Sequence, residues 1–126
     1  MANFKWSQRS LKALKGIHPD LRKVCDLALE LTPIDFIITE GKRSLAKQRE
    51  YVKKGASRTM KSRHLTGHAV DFVDVGASYN HERMTQIAMA FKQAAKHLGI
   101  PITWGGDWKS FVDTPHIELL KSKYPS

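Results

Sequence analysis

The sequence has little cysteine and no long apolar run, and each of these shortages excludes a class of site or of protein. Its 126 residues include one cysteine, Cys25, so an internal disulfide is excluded and any metal site must use histidine and carboxylate ligands. No apolar run approaches the roughly 20 residues that a membrane-spanning helix needs. The N-terminus also lacks the apolar stretch of a secretory signal. We therefore expect a protein made in the cytoplasm, without stable membrane insertion.

Linkers and repeats are missing as well. The chain contains no low-complexity tract, no internal repeat and no segment rich in proline, glycine and serine. An apolar content of 41% is enough for one modest core but not for two. We expect residues 1–126 to form a single domain and to be monomeric.

Positive charge, in contrast, is abundant and unevenly placed. The net charge is +9, and nine Lys and Arg residues lie between Lys42 and Arg63, where Glu50 is the only acidic residue. Such a block either forms a solvated face or favours an anionic partner, such as nucleic acid or a cell-wall polymer. It lacks the interleaved aromatic residues of a platform for single-stranded nucleic acid.

Hydrophobic spacing and turn residues predict an α+β fold, with helices packed on a small, mainly antiparallel sheet. The predicted helices span residues 7–15, 19–31, 44–54 and 84–98, and the predicted strands span 35–40, 69–75, 102–104 and 116–119. The polar stretch 56–63 is predicted to be a loop. Cys25 lies in the apolar register of the second helix, which predicts a buried, inert thiol.

The first group of residues suited to chemistry surrounds His64 and Asp71. Seven positions separate them, so they cannot share a helix face, and on one straight strand they would point to opposite sides. A turn at Thr66-Gly67 allows the chain to fold back and aim both side chains at one point. His68 faces away from Asp71 by strand alternation, so we do not predict it as a ligand.

The second group lies downstream, at residues 113–118. His116 and Glu118 are two apart on a predicted strand and therefore point to the same side. Two histidines and one carboxylate leave a fourth zinc position for water, as a hydrolytic zinc site requires. A further carboxylate must then take the proton from the attacking water. Asp113 is our choice for this base, and Glu118 is its competitor.

Two motifs carry a resemblance to a known family. The first is the run S-x-H-x-x-G-x-A-x-D over residues 62–71, and the second is D-x-x-H-x-E over residues 113–118. Together they resemble the signature of the D-alanyl-D-alanine carboxypeptidase-like metallopeptidases. The chain is most similar to the small phage endolysins that act as L-alanyl-D-glutamate peptidases, through Asp35-Phe, Gly41-x-Arg43 and Gly105-Gly-Asp107-Trp108.

The resemblance implies roles for individual residues. His64, Asp71 and His116 would bind Zn²⁺, and Asp113 would be the general base. Arg43 matches an arginine that the family keeps near the active site, where it polarises the scissile carbonyl or binds a substrate carboxylate.

Three more residues are candidates for supporting or substrate-binding roles. Ser62 would support the metal loop or contact substrate. Trp104 is either a wall of the substrate groove or a packing residue, and Asp107 is either a substrate contact or a hydrogen bonder within its loop.

The resemblance also implies a fold, an activity and a place of action. The fold would be that of the hedgehog and D-Ala-D-Ala peptidase group, with residues 1–126 as one zinc peptidase catalytic domain and no separate wall-binding domain. The activity would be hydrolysis of the bond between L-alanine and D-glutamate in the stem peptide of bacterial peptidoglycan, leading to host lysis. The enzyme would be made in the host cytoplasm and would act on the periplasmic cell wall after release through a holin pore, with no nucleic-acid partner.

Three other functions remain open at this point. The same fold could cut D-Ala-D-Ala as a carboxypeptidase or dipeptidase, although such enzymes usually carry an export signal. A basic nucleic-acid-binding module would account for the net charge but not for the two His/Asp groups. A catalytically inactive relative that keeps zinc for structure is disfavoured by the presence of Asp113.

Overall fold

Each predicted helix and strand has a counterpart in the computed structural model, which describes residues 4–57, 62–109 and 112–125. The helices are α1 (Gln8–Leu14), α2 (Pro19–Leu31), α3 (Leu45–Lys53) and α4 (His81–Leu98). The strands are β1 (Phe36–Glu40), β2 (Ala69–Asp74), β3 (Ile102–Trp104) and β4 (His116–Leu119). Two short 3-10 helices, Arg63–Thr66 and Gly105–Asp107, complete the elements. The predicted α+β class is confirmed.

Polar side chains set where the helices begin. Ser7 and Ser44 accept hydrogen bonds from backbone N–H groups in the first turns of α1 and α3, as N-cap residues do. Asn80 does the same for α4, accepting from the Arg83 amide. This cap explains why α4 begins at His81, three residues before the predicted start. Within the described residues, no helix is both long and apolar enough to cross a membrane.

The four strands form one antiparallel sheet in the order β1-β2-β4-β3. In the pairing of β2 with β4, Asp71 lies directly opposite His116 and Ala69 lies opposite Glu118. Side chains that face each other across antiparallel strands share one side of the sheet. The register therefore brings residues from the two sequence motifs together.

The main core lies on the other side of the sheet, beneath α2 and α4. Val70 and Phe72, which flank Asp71 on β2, are fully buried in this core. Phe72 packs against Phe91 of α4, with ring centroids 5.2 Å apart. Cys25 of α2 is also fully buried, and this burial raises the pKa of its thiol. The prediction of a buried cysteine is confirmed, and the raised pKa keeps the thiol protonated, the less reactive form.

Candidate active site

His64 lies on the 3-10 helix Arg63–Thr66, which begins at the last residue of the predicted loop 56–63. Residues 58–61 of that predicted loop lie outside the described residues. The Ser62 hydroxyl accepts a hydrogen bond from the His64 amide at 3.2 Å and caps this short helix. His64 is buried, and its Nδ1 lies 2.8 Å from the carbonyl oxygen of Gly41. Because a carbonyl only accepts, Nδ1 carries the proton and Nε2 remains available as a ligand, 3.2 Å from Asp71 Oδ1.

Gly67 ends this helix in the left-handed backbone region, at φ 76°. A Cβ at this position would lie 2.8 Å from the carbonyl oxygen of Gly16, so the close approach also requires glycine. The Gly67 carbonyl accepts from the His18 amide at 2.9 Å. The predicted turn is therefore present, and it holds the His64 segment against the connection between α1 and α2.

Asp71 and His116 meet across the sheet, as their register requires. His116 Nδ1 lies 3.4 Å from Asp71 Oδ1, and ligand atoms of His64, Asp71 and His116 all lie within 4.8 Å of one another. We call these three residues the ligand cluster. Two imidazole nitrogens and a carboxylate oxygen form a donor set that suits zinc. Each histidine also bonds through its other ring nitrogen to an oxygen atom, as metal-binding histidines usually do.

The electrostatics of the cluster favour a bound cation. Burial acts to raise the pKa of Asp71, but hydrogen bonds with His116 and His64 outweigh it and hold that pKa well below the ordinary value. Burial acts to lower the pKa of His116, yet Asp71 and Glu118 raise it to about 9. The shift of His116 reflects the negative charge of Asp71 and Glu118, and the shift of Asp71 keeps its carboxylate ionised, the form in which it can bind a metal ion.

Glu118 lies on the outer side of His116. Its Oε1 is 2.8 Å from His116 Nε2, and its Oε2 accepts from Arg63 Nη1 at 3.1 Å. The buried Arg63 also donates to the carbonyl oxygens of Leu119 and Tyr124. Glu118 therefore orients His116 and leaves Nδ1 facing Asp71.

Asp113 reaches the cluster from the turn before β4. Its amide donates to the Gly105 carbonyl at 3.0 Å, and a Cβ on Gly105 would lie 2.2 Å from the Asp113 carbonyl oxygen. The Asp113 side chain is 37% exposed, with Oδ2 4.0 Å from His116 Nδ1. Burial and the nearby negative charge of Asp71 raise the pKa of Asp113. It is a carboxylate beside the ligand cluster with strengthened basicity and access to solvent.

Arg43 is buried at the wall of the same cleft. Its guanidinium forms an ion pair with Glu40 and donates to Gln48 and, at 3.4 Å, to Ser62. It also stacks over the ring of Tyr51, 4.5 Å from the ring centroid. These contacts hold the guanidinium in a single orientation, and Arg43 in turn lowers the pKa of Asp113 as a minor effect.

The cleft has a volume of about 590 Å³ and contains all the predicted site residues except Trp104 and Asp107. Trp104 is buried, and its Nε1 donates to the Thr114 carbonyl at 2.7 Å. Asp107 is exposed and binds Lys92 at 2.6 Å. Both residues line a separate depression between α4 and β3.

The sequence reasoning missed several residues that line the cleft. Trp108 is one of them, and its ring lies 5.0 Å from that of His116, centroid to centroid. It closes the Gly-Gly-Asp-Trp motif, whereas Trp104 lies outside the cleft and is buried, in line with its alternative as a packing residue. The others include Arg9, Lys47 and Tyr51, which carry no motif of their own.

His68 stands outside the ligand cluster. Its Nδ1 bonds with the Thr66 hydroxyl at 2.6 Å, and its ring packs near His18 with centroids 5.4 Å apart. This placement agrees with the expectation that His68 faces away from Asp71.

Comparisons with known proteins decide the family. The model of the family described as phage L-alanyl-D-glutamate peptidase matches residues 1–120. The chain belongs to this family. Its relatives include the L-alanyl-D-glutamate peptidase of Escherichia phage T5, which is 36% identical over 97% of this chain and 93% of that protein. Another is the peptidoglycan L-alanyl-D-glutamate endopeptidase CwlK of Bacillus subtilis, 32% identical over 90% of this chain and 81% of that protein.

Solved structures agree with this family. The L-Ala D-Glu endopeptidase ChiX of Serratia marcescens superposes with a TM-score of 0.91 at 45% identity, covering 98% of this chain and 95% of that chain. The vancomycin resistance D,D-dipeptidase VanXYg, at 18% identity and a TM-score of 0.52, covers 82% of this chain and 50% of that chain, and shows the shared fold alone. The predicted recognition and the D-Ala-D-Ala-peptidase-like fold are confirmed, and the chain is a peptidase.

Proposed function

We propose that this peptidase is a zinc-dependent peptidoglycan endopeptidase that hydrolyses the bond between L-alanine and D-glutamate in the stem peptide. The observation that carries the proposal is the ligand cluster with Asp113 beside it, in a cleft of a chain that belongs to this family. His64, Asp71 and His116 would hold the metal. The donor set and the oriented ring nitrogens support zinc as the ion.

The chemistry divides between the ion and the residues around it. A bound zinc ion supplies Lewis acidity toward the scissile carbonyl and the attacking water. Asp113 accepts the proton of that water and then delivers it to the leaving amine of D-glutamate. Its raised pKa suits both steps, since a stronger base removes the proton more readily and its conjugate acid forms nearer neutral pH.

Arg43 and Glu118 have supporting roles in this mechanism. Arg43 places a fixed positive charge within electrostatic reach of Asp113. From this position it would stabilise the negative charge that develops on the oxygen of the scissile carbonyl. Glu118 is engaged by His116 and Arg63 on the outer side of the cluster. These contacts favour Asp113 over Glu118 as the base and make Glu118 a positioning residue.

The proposed place of action is the bacterial cell wall. Peptidoglycan is the partner, and the enzyme acts as a monomer that reaches the wall from the host cytoplasm through a holin pore and causes lysis. The description of the family as a phage peptidase and the relative from Escherichia phage T5 support a role in attacking the wall of a bacterial host. The exposed lysines and arginines would help hold the protein on anionic wall polymers.

Metal analysis and peptide hydrolysis test the proposal together. We expect about one zinc ion per chain in the native protein and in His68→Ala, the matched control outside the cluster, and much less in His64→Ala. Only the zinc-bound proteins should cleave a soluble L-Ala-D-Glu stem peptide, and none should cleave D-Ala-D-Ala. Peptide cleavage by metal-free His64→Ala would contradict the zinc mechanism, and release of D-alanine would favour the dipeptidase activity.

A further inference from the structure

The cleft contains one cation that no other described residue neutralises. Four cationic side chains line the cleft in the described part of the chain: Arg9, Arg43, Lys47 and Arg63. Arg43 and Lys47 form ion pairs with Glu40. Arg63 binds Glu118 at 3.1 Å. Arg9 forms no hydrogen bond or ion pair with any residue that the structure describes. Its charge is therefore available to a ligand in the cleft.

The backbone of Arg9 is nevertheless held in place. The next residue, Ser10, is fully buried, and its hydroxyl accepts from the Ile38 amide of β1 at 3.0 Å. Ser7, two residues before Arg9, is the N-cap of α1, the helix that carries Arg9. This anchoring fixes α1 against β1, and the exposed Arg9 side chain lines the cleft, as Thr39 of β1 also does.

A free arginine in this position fits an anionic part of the substrate. In the stem peptide, D-glutamate is linked to the third residue through its side-chain carboxyl, so its α-carboxylate is free. Where the third residue is a diamino diacid, a further carboxylate is present. The guanidinium fork matches a carboxylate with two parallel hydrogen bonds.

We propose that Arg9 binds a stem-peptide carboxylate on the D-glutamate side of the scissile bond and thereby selects substrates that carry this charge. The inference rests on the proposed function, because it names a substrate contact for the same cleft. Arg9 is then a specificity-determining residue, and its loss should raise KM for charged substrates while kcat changes little.

Three soluble peptides distinguish the sources of the carboxylate. The first carries D-glutamate and a diamino diacid at the third position, the second has the D-glutamate α-carboxylate amidated, and the third has lysine at the third position. Each is assayed with the native enzyme, Arg9→Gln, Arg9→Lys and Arg49→Gln. Arg49 is exposed and outside the cleft, so its replacement controls for the loss of one positive charge.

We expect Arg9→Gln to lower kcat/KM about fivefold on the first peptide, which carries both carboxylates, mostly by raising KM. A fivefold loss corresponds to the free energy of an exposed ion pair. Arg9→Lys should recover part of this loss, and Arg49→Gln should match the native enzyme. If Arg9→Gln leaves kcat/KM unchanged on the amidated peptide alone, Arg9 binds the α-carboxylate of D-glutamate. If kcat/KM is unchanged on the lysine peptide alone, Arg9 binds the carboxylate of the diamino diacid.

Two results would overturn the assignment of Arg9. One is an equal loss on all three peptides, and the other is behaviour of Arg9→Gln indistinguishable from Arg49→Gln on every peptide. Either result leaves the proposed function intact, provided that the native enzyme cleaves the peptides. If the native enzyme cleaves none of them and leaves the wall intact, the proposed function fails and the role of Arg9 fails with it.

Discussion

At the scale of single residues, His116 is held by contacts on both of its ring nitrogens. Nε2 faces Glu118 at 2.8 Å and Nδ1 faces Asp71 at 3.4 Å. The spacing of His116 and Glu118 was enough to predict that they share a side of the strand. Arg63, which ties Glu118 to the backbone of residues 119 and 124, could not be predicted, because its partners are more than 50 residues away in sequence.

Glu118→Gln tests the orienting role of this carboxylate. The amide can still accept a hydrogen bond from His116, but it loses the charge that strengthens the bond and pairs with Arg63. We expect zinc affinity to fall about tenfold, as for other outer partners of metal-binding histidines. Competition with a zinc chelator measures this, and Glu50→Gln, on an exposed side chain, is the control. Unchanged zinc affinity combined with lost hydrolysis would instead point to Glu118 as the base.

At the scale of elements, the sequence predicted the regular helices and strands and the turn at Thr66-Gly67, but not the two short 3-10 helices. Helices and strands are predicted from the periodic spacing of apolar residues, and this period can be recognised only over several residues. The 3-10 helices at 63–66 and 105–107 have four and three residues and show no such pattern. Yet they carry His64 and support Asp113, so the parts of the site that were hardest to predict are short turns.

Gly105→Ala tests the turn that positions Asp113. A Cβ at this position meets the Asp113 carbonyl oxygen at 2.2 Å, so the backbone must move apart. We expect a loss of about 1–3 kcal/mol in stability and a fall in kcat, measured by thermal unfolding and peptide hydrolysis. Gly76→Ala is the matched control, because its Cβ would meet nothing closer than 3.8 Å. Full activity of Gly105→Ala would show that Asp113 tolerates displacement.

The connection between β2 and α4 depends on the buried carboxylate of Asp74. It accepts hydrogen bonds from Ser78 and the Tyr79 amide and pairs with Arg83. Burial acts to raise the pKa of Asp74, but these partners outweigh it and hold that pKa below its ordinary value. Asp74 therefore holds the turn that follows β2.

Asp74→Asn should therefore destabilise the protein in a pH-dependent way. Because the folded-state pKa is lowered, the stabilisation is fully present above the unfolded value of about 4 and is lost as pH falls through the folded value. We expect a deficit of about 1–2 kcal/mol at neutral pH that shrinks below about pH 4. Denaturant unfolding across this range measures it, with the exposed Asp107→Asn as control. A deficit that stays constant down to pH 2 would contradict the charge-based explanation.

At the scale of the whole molecule, the basic block of the sequence divides into two structural groups. Arg43 and Arg63 are buried and engaged in the cleft wall. The exposed members are Lys42, Lys47, Arg49, Lys53 and Lys54, while Arg58 and Lys61 lie outside the described residues. Composition alone could not separate these groups, because burial depends on tertiary contacts such as that between Arg63 and Glu118, 55 residues away.

Salt should weaken attachment to the wall more than it weakens hydrolysis. Screening shortens the reach of exposed charges from about 10 Å at 0.1 M salt to about 3 Å at 1 M. We expect the fraction of Asp113→Asn protein bound to purified wall to fall steeply over this range. Hydrolysis of a soluble stem peptide by the native enzyme should change much less. Wall binding that is independent of salt would remove the electrostatic role of the exposed basic residues.

The most direct test of the central claim is mass spectrometry of purified peptidoglycan after digestion. The account predicts that the native enzyme creates new N-terminal D-glutamate. It also predicts that Asp113→Asn, with its zinc retained, creates less by a factor of about 10²–10⁴, the usual contribution of a general base. Release of D-alanine by the native enzyme, or undiminished cleavage by Asp113→Asn, would contradict it.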